Sequence, residues 1–150
     1  MDVSDLVPPD RVIAGLRVSG KAQLTAELSR RAAAVLHIQP GSIETALTAR
    51  ERLGSTGLGR GFALPHARLA GLDRFFGLFA RLARPIDFNA IDERPVDLVF
   101  LLLIPESAGN EHVVALAAIS RRMRDQTVMQ QLRKAAGVAE IYALLTDTRA

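Results

Sequence analysis

The sequence contains no cysteine. That rules out a disulfide framework and a thiolate metal site, and it agrees with a reducing compartment. Aromatic residues are scarce at 5%, and the basic residues, almost all arginine, are scattered rather than gathered on one element. A nucleic-acid surface needs clustered cations, ideally interleaved with aromatics, so a nucleic-acid partner is not expected despite a pI near 10.2. The one tight cluster, Arg121, Arg122 and Arg124, reads as the cationic end of a helix, where positive charge complements the dipole. Long apolar runs are also missing. The longest, Leu98 to Ile104, falls far short of the roughly 20 residues of a membrane helix. The N-terminal Met1-Asp2-Val3-Ser4-Asp5 is acidic where a secretory signal would be basic. No membrane insertion and a cytoplasmic location are therefore expected.

What is present suits one globular domain over residues 1–150, with 49% hydrophobic and 23% charged residues and a net charge of +3. Leu24, Leu28, Val35 and Leu36 fall on one stripe between Ser19, a candidate N-cap, and His37, which predicts an amphipathic helix. Pro40-Gly41 reads as its end. Ser42 then caps a second helix in which Ile43, Ala46 and Leu47 share a face and Arg50 stands near the C-terminal end. From Gly54 to His66 alternating glycines and a closing proline predict a loop. Phe75 to Leu82 is β-prone, and Pro85 breaks it before Ile86-Asp87-Phe88. Val96 to Ile104, stopped by Pro105, has the pattern of a strand buried on both faces. Asn110 opens a third helix with His112, Leu116, Ile119 and Met123 on one stripe. Asp125 caps a fourth through Leu132, Gly137 fits a C′ position, and Val138 to Leu145 forms a last helix. The fold class is α/β (α+β), with helices covering a small sheet.

The glycine-rich segment invites a nucleotide reading, which fails. Gly57-Leu58-Gly59-Arg60-Gly61 lacks the third-glycine spacing of a dinucleotide fingerprint, follows no predicted strand and has no Gly-Lys-Ser/Thr ending. What remains is a loop whose backbone N–H groups can approach a ligand closely, with Pro65 stiffening the approach to His66. A neutral imidazole is a good nucleophile towards phosphorus, and the P–N bond it forms can pass the group onward. Its surroundings must leave one ring nitrogen unprotonated and supply donors for about two negative charges. Candidate donors are the hydroxyls of Ser55 and Thr56, the backbone of Gly57, the planar fork of Arg50, and His112 at a helix N-terminus. Structural readings stand beside these: His66 as a turn residue, His112 as a packing residue, Arg50 as a solvated helix residue, and His37 as a surface or helix-end residue. A two-histidine metal hydrolase is weaker still, because His66 and His112 come with no third ligand at metal spacing. No cofactor is called for.

Taken together, the run Arg50-Glu51-Arg52-Leu53-Gly54-Ser55-Thr56-Gly57-Leu58-Gly59-Arg60-Gly61-Phe62-Ala63-Leu64-Pro65-His66 resembles the IIA domains of the bacterial phosphotransferase system. The likeness is to the mannitol/fructose type, and most of all to its nitrogen-regulatory members. Pro85-Ile86-Asp87-Phe88, Asp92-Glu93-Arg94-Pro95-Val96-Asp97 and the stretch from Pro105-Glu106 to His112 extend it, so that it covers about Leu16 to Leu145. It implies a mixed sheet flanked by helices, His66 accepting a phosphoryl group from an HPr-like phosphocarrier, and His112 and Arg50 lining the same pocket. For the nitrogen-regulatory type it implies a carrier and regulator more than a turnover catalyst, with partners of the potassium-transporter or sensor-kinase kind. The alternative is a sugar-transport component relaying phosphate to a IIB domain. A chain ending after one domain, the segment Phe75 to Phe88 and the ending Ile141 to Asp147 favour regulation. Two departures from the family pattern are Ala67, where glycine is usual, and Arg60, which is expected to add positive charge near the incoming phosphate.

Overall fold

In the computed structural model, which describes residues 1–147, the apolar run from Val96 sits in the middle of the sheet. The strands are β1 (Val12–Leu16), β2 (Gly57–Gly59), β3 (Phe62–Ala63), β4 (His66–Leu69), β5 (Phe76–Ile86) and β6 (Val96–Pro105). Their order is β1-β5-β6-β3-β2, with β4 pairing β6 further along the same edge as β3. β5 runs antiparallel to β6, whereas β3 and β4 run parallel to it, which makes the sheet mixed, as expected. Leu98 to Leu103 are completely buried. The two-residue alternation vanishes there because both faces of β6 are covered.

The helices are α1 (Lys21–Leu36), α2 (Pro40–Arg52), α3 (Glu111–Met123), α4 (Gln126–Lys134) and α5 (Val138–Thr146). Val99, Leu101 and Leu103 point to one face, onto Leu24 and Leu28 of α1 and Ile43 and Leu47 of α2. Leu98, Phe100 and Leu102 point to the other, onto Ile119 of α3, Leu132 of α4 and Ile141 of α5. Burying a Leu or Phe side chain stabilises by about 1.5–3 kcal/mol, so the two faces together form the energetic centre of the fold. The N-terminal residues Val3, Leu6 and Val7 close the second face.

Several local expectations change. Pro40 begins α2 rather than ending α1, because the first helical position needs no N–H and proline's fixed φ suits it. α1 ends instead at His37, in the left-handed conformation with φ 57. Gly20, not Ser19, is its N-cap; the Ser19 N–H is taken by the Gln23 side chain. Val35 is 49% exposed, and Ala32 takes the buried place on the stripe. Pro85 does not break β5. The strand runs through it with a register shift between Arg81 and Ile86, an irregularity that tolerates a residue without an N–H. Gly137 is the N-cap of α5, not a C′ residue. The predicted loop from Gly54 holds the hairpin β2–β3 and ends in β4, because the parallel edge of β6 supplies backbone partners no local pattern reveals. β1, which no local pattern announces, likewise rests on a distant partner, pairing parallel with β5.

Two arginines tie the helical layer together. Arg81 on β5 donates to Ala14 O on β1 (2.9 Å) and to Leu132 O (3.0 Å) and Ala135 O (2.7 Å), closing the C-terminal end of α4. From the arginine cluster, Arg122 donates from Nε to Leu144 O at 2.8 Å. It therefore caps α5 rather than its own helix.

Candidate functional site

The site forms where the end of α2, the start of β4 and the first turn of α3 meet. Consecutive helical residues point about 100° apart, and at the end of α2 this separates Arg50 from Glu51. The Glu51 carboxylate accepts from Lys21 Nζ (2.7 Å), from the Thr56 N–H (3.0 Å) and from the Thr56 hydroxyl. Arg50 turns the other way, donating from Nη1 to Gly54 O (2.9 Å) and from Nε to Nε2 of His66 (3.3 Å). Glu51 thus fixes the loop while Arg50 reaches the imidazole.

His66 is the first residue of β4, opposite Leu102, and the preceding Pro65 carbonyl accepts from Leu102 N–H at 3.0 Å. Its Nδ1 lies 2.8 Å from Leu64 O. A carbonyl oxygen only accepts, so Nδ1 carries the proton. Nε2 then holds a lone pair, the acceptor that the Arg50 contact requires. Burial lowers the pKa of His66 below its ordinary 6.5, and the positive charge of Arg50 and the neighbouring His112 push it the same way, against the Leu64 hydrogen bond and Glu51. Both effects favour the neutral ring, with the Nε2 lone pair turned to Arg50.

A pH dependence follows from this shift. Folding lowers the pKa, so below about pH 6.5 the unfolded chain binds this proton more readily than the folded one. The contribution of His66 to stability is therefore full above 6.5 and is lost as pH falls through the lower, folded value. An NMR titration of the imidazole carbons is expected to give a midpoint below 6.5. A midpoint at or above 6.5 would remove the case for a neutral nucleophile.

His112 stands in the first turn of α3, after an Asn110 N-cap whose side chain makes no capping bond. Its Nδ1 lies 2.8 Å from Gly109 O and 2.9 Å from Arg68 Nη2, and Arg68 also donates to Gly109 O at 3.0 Å. The carbonyl calls for a proton on Nδ1 and the guanidinium for a lone pair, so these two neighbours contest the tautomer. Arg68 was not expected here. It is two residues from His66 on the same strand, and side chains at that spacing share a face; reading His66–Leu69 as a strand would have found it.

Of the predicted residues, His66, Arg50 and His112 come together. Ser55, Thr56 and Gly57 do not present their groups to the imidazole. Thr56 is 2% exposed with its hydroxyl and N–H on Glu51. The Ser55 hydroxyl donates to Phe88 O and accepts from Gly57 N–H. A Cβ on Gly57 would sit 2.8 Å from that of Ala90, so glycine is needed there for packing against the segment after β5. Arg60 also departs from expectation. Gly61 O accepts from Asp97 and Leu98 N–H, four strand residues before Leu102; at about 3.3 Å per residue that is roughly 13 Å from the level of His66. Among the described residues no group of three or more His, Asp or Glu side chains is arranged to hold a metal ion.

The family profile described as "Phosphoenolpyruvate-dependent sugar phosphotransferase system, EIIA 2" matches residues 5–148. A curated "Nitrogen regulatory protein" from Bradyrhizobium diazoefficiens is 46% identical over 145 residues, covering 97% of this chain and 95% of that protein. The crystal structure of nitrogen regulatory protein IIA-Ntr from Neisseria meningitidis superposes with a TM-score of 0.91 at 33% identity, covering 96% of this chain and 99% of that one. The structure of IIA mannitol from Escherichia coli shares the fold, with a TM-score of 0.78 at 19% identity over 93% of this chain and 99% of that one. The chain belongs to the EIIA 2 family of the phosphoenolpyruvate-dependent phosphotransferase system.

Proposed function

We propose that this protein is a cytoplasmic phosphoryl carrier of the nitrogen-regulatory kind, taking its phosphoryl group on Nε2 of His66 and acting on partner proteins through its phosphorylation state. The observation that carries the site is the pinned tautomer: Nδ1 donates to Leu64 O, leaving Nε2 as the nucleophile. Family membership implies exchange with HPr-like phosphocarriers and IIB partners. In the transfer, the Nε2 lone pair forms the new bond to phosphorus as the bond from phosphorus to the donor breaks, and the donor keeps that electron pair. The Arg50 N–H now facing Nε2 moves onto a phosphoryl oxygen, where a guanidinium is a strong charge-assisted donor. In the tautomer that accepts from Arg68 at Nδ1, His112 carries its proton on Nε2 and would serve as a second donor. Ser55, Thr56 and Gly57 support the loop from behind.

Regulation is favoured over sugar transport by the nitrogen regulatory relatives, which match at 46% and 33% identity over nearly their own whole length. Partners of the potassium-transporter or sensor-kinase kind would then sense a dianion added beside Arg50 and Arg68, which changes an interface by charge and desolvation. The test is incubation with phosphoenolpyruvate, the general phosphotransferase enzyme and an HPr-like carrier. Acid-labile, base-stable phosphate is expected at up to one per chain, retained when a fructose-type IIB domain is added. No labelling would end the carrier reading, and rapid loss of label to IIB would transfer it to sugar transport.

A further inference from the structure

Arg60 takes no part in the phosphoryl site, and its surroundings form a second, separate cleft. Between the turn from β2 to β3, the segment before β6 and the face of α4 lies a concavity of about 410 Å³ lined by Arg60, Arg94 and Arg133, with Asp97 as the one acidic residue. That volume is within the range of small-molecule sites.

The arginines are unequally engaged. Arg133 is held firmly: its Nε lies 2.9 Å from Asp97 Oδ2, and its Nη2 donates to Arg60 O at 2.6 Å. Its Nη1 makes no bond among the described residues. Among the described residues the Arg60 guanidinium donates only from Nη1, to Arg124 O at 3.2 Å. The Arg94 guanidinium makes no hydrogen bond or short ion pair among the described residues, although Asp92, which accepts from the backbone N–H groups of Arg60 and Arg94, lies close enough to feel its charge. Set against Asp97, the lining keeps an excess of positive charge and several N–H donors without partners.

The backbone is shaped around this arrangement. Gly61 has φ +80, and a Cβ there would meet Arg133 Nη2 at 2.4 Å and Asp97 Oδ1 at 2.9 Å. Any side chain at Gly61 would displace the ion pair that holds Arg133 in place. The remaining wall is apolar, with Pro85, Pro95 and Met129 beside the amides of Gln126 and Gln130. Planar guanidinium forks recognise phosphate oxygens in pairs, and the apolar wall suits a ring or chain attached to them.

We infer that this cleft is a binding site for a diphosphate-bearing small molecule, independent of His66 and roughly 13 Å along β6 from it. The test is titration of the ¹⁵N-labelled protein with inorganic pyrophosphate and with ADP, at about 0.15 M salt so that loose charge pairing is screened. Saturable amide shifts are expected at Gly61, Asp97 and Gln126 with both probes, and tighter binding of ADP would identify a nucleotide rather than a free diphosphate as the favoured source. Arg94→Gln, which removes no bond from the fold, is expected to weaken either probe about tenfold. The fully folded spectrum of that variant keeps the comparison interpretable. Shifts confined to the surroundings of His66, binding unchanged in Arg94→Gln, or binding of an acidic peptide with none of pyrophosphate would each overturn the inference.

Discussion

Replacing His66 with alanine is expected to abolish acid-labile phosphate completely while leaving the fold intact. His66 is only partly buried, and its side chain makes two hydrogen bonds among the described residues, with Leu64 O and Arg50. Their net worth is about 1 kcal/mol each, small against the two buried faces of the sheet. No other histidine replaces it chemically. His37 closes α1 on another part of the molecule. His112 already has Nδ1 shared between Gly109 O and Arg68. The wild-type product is expected on Nε2, because phosphorylation at Nδ1 would require giving up the Leu64 hydrogen bond. ³¹P–¹⁵N coupling in the phosphorylated protein distinguishes the two nitrogens. Label remaining on His66→Ala, or phosphorus bonded to Nδ1 in the wild type, would show that the pinned tautomer does not govern the chemistry.

The parts of this arrangement that could be read from the sequence are those that local patterns encode. β6 is legible because a strand covered on both faces is an unbroken apolar run, and the fourth helix because Asp125 caps it, accepting from Thr127 and Val128 N–H. Arg50 and His112 could be placed on helix ends by spacing alone. What escaped depends on partners distant in sequence. Pro85 looks like a break until the register shift against β6 absorbs it. The hairpin from Gly57 to Ala63 looks like a loop because strands this short owe their existence to the edge they join. Ser55 and Thr56 have the composition of an anion cradle, yet Glu51 and Phe88 O claim their hydroxyls. Arg68 was hidden because its partners, Glu106 O, Gly109 O and His112, lie about forty residues away. The residues that the fold brings together were therefore legible, and their division between contact and support was not.

That division gives Arg50 the second largest expected effect. Its guanidinium is anchored at Gly54 O and aimed at Nε2, the atom on which the phosphoryl group would arrive. Donors pre-aimed at developing charge in a partly desolvated site typically contribute 10²–10³ in rate. Arg50→Ala is expected to slow phosphoryl transfer to His66 on the order of 10²-fold in stopped-flow or rapid-quench measurements. Arg50→Lys should restore only part of this, because one ammonium cannot hold the loop carbonyl and the phosphoryl oxygens at once. The substitution has a second signature that a purely structural role would not produce. The positive charge of Arg50 is among the causes that lower the pKa of His66, so its removal should raise the NMR midpoint, while burial keeps it from rising freely. A slow variant with an unchanged His66 midpoint would mean that Arg50 acts by holding Gly54 alone. Unchanged transfer would return it to the solvated end of its helix. Slower transfer together with a raised midpoint is what the 3.3 Å contact between Nε and Nε2 demands.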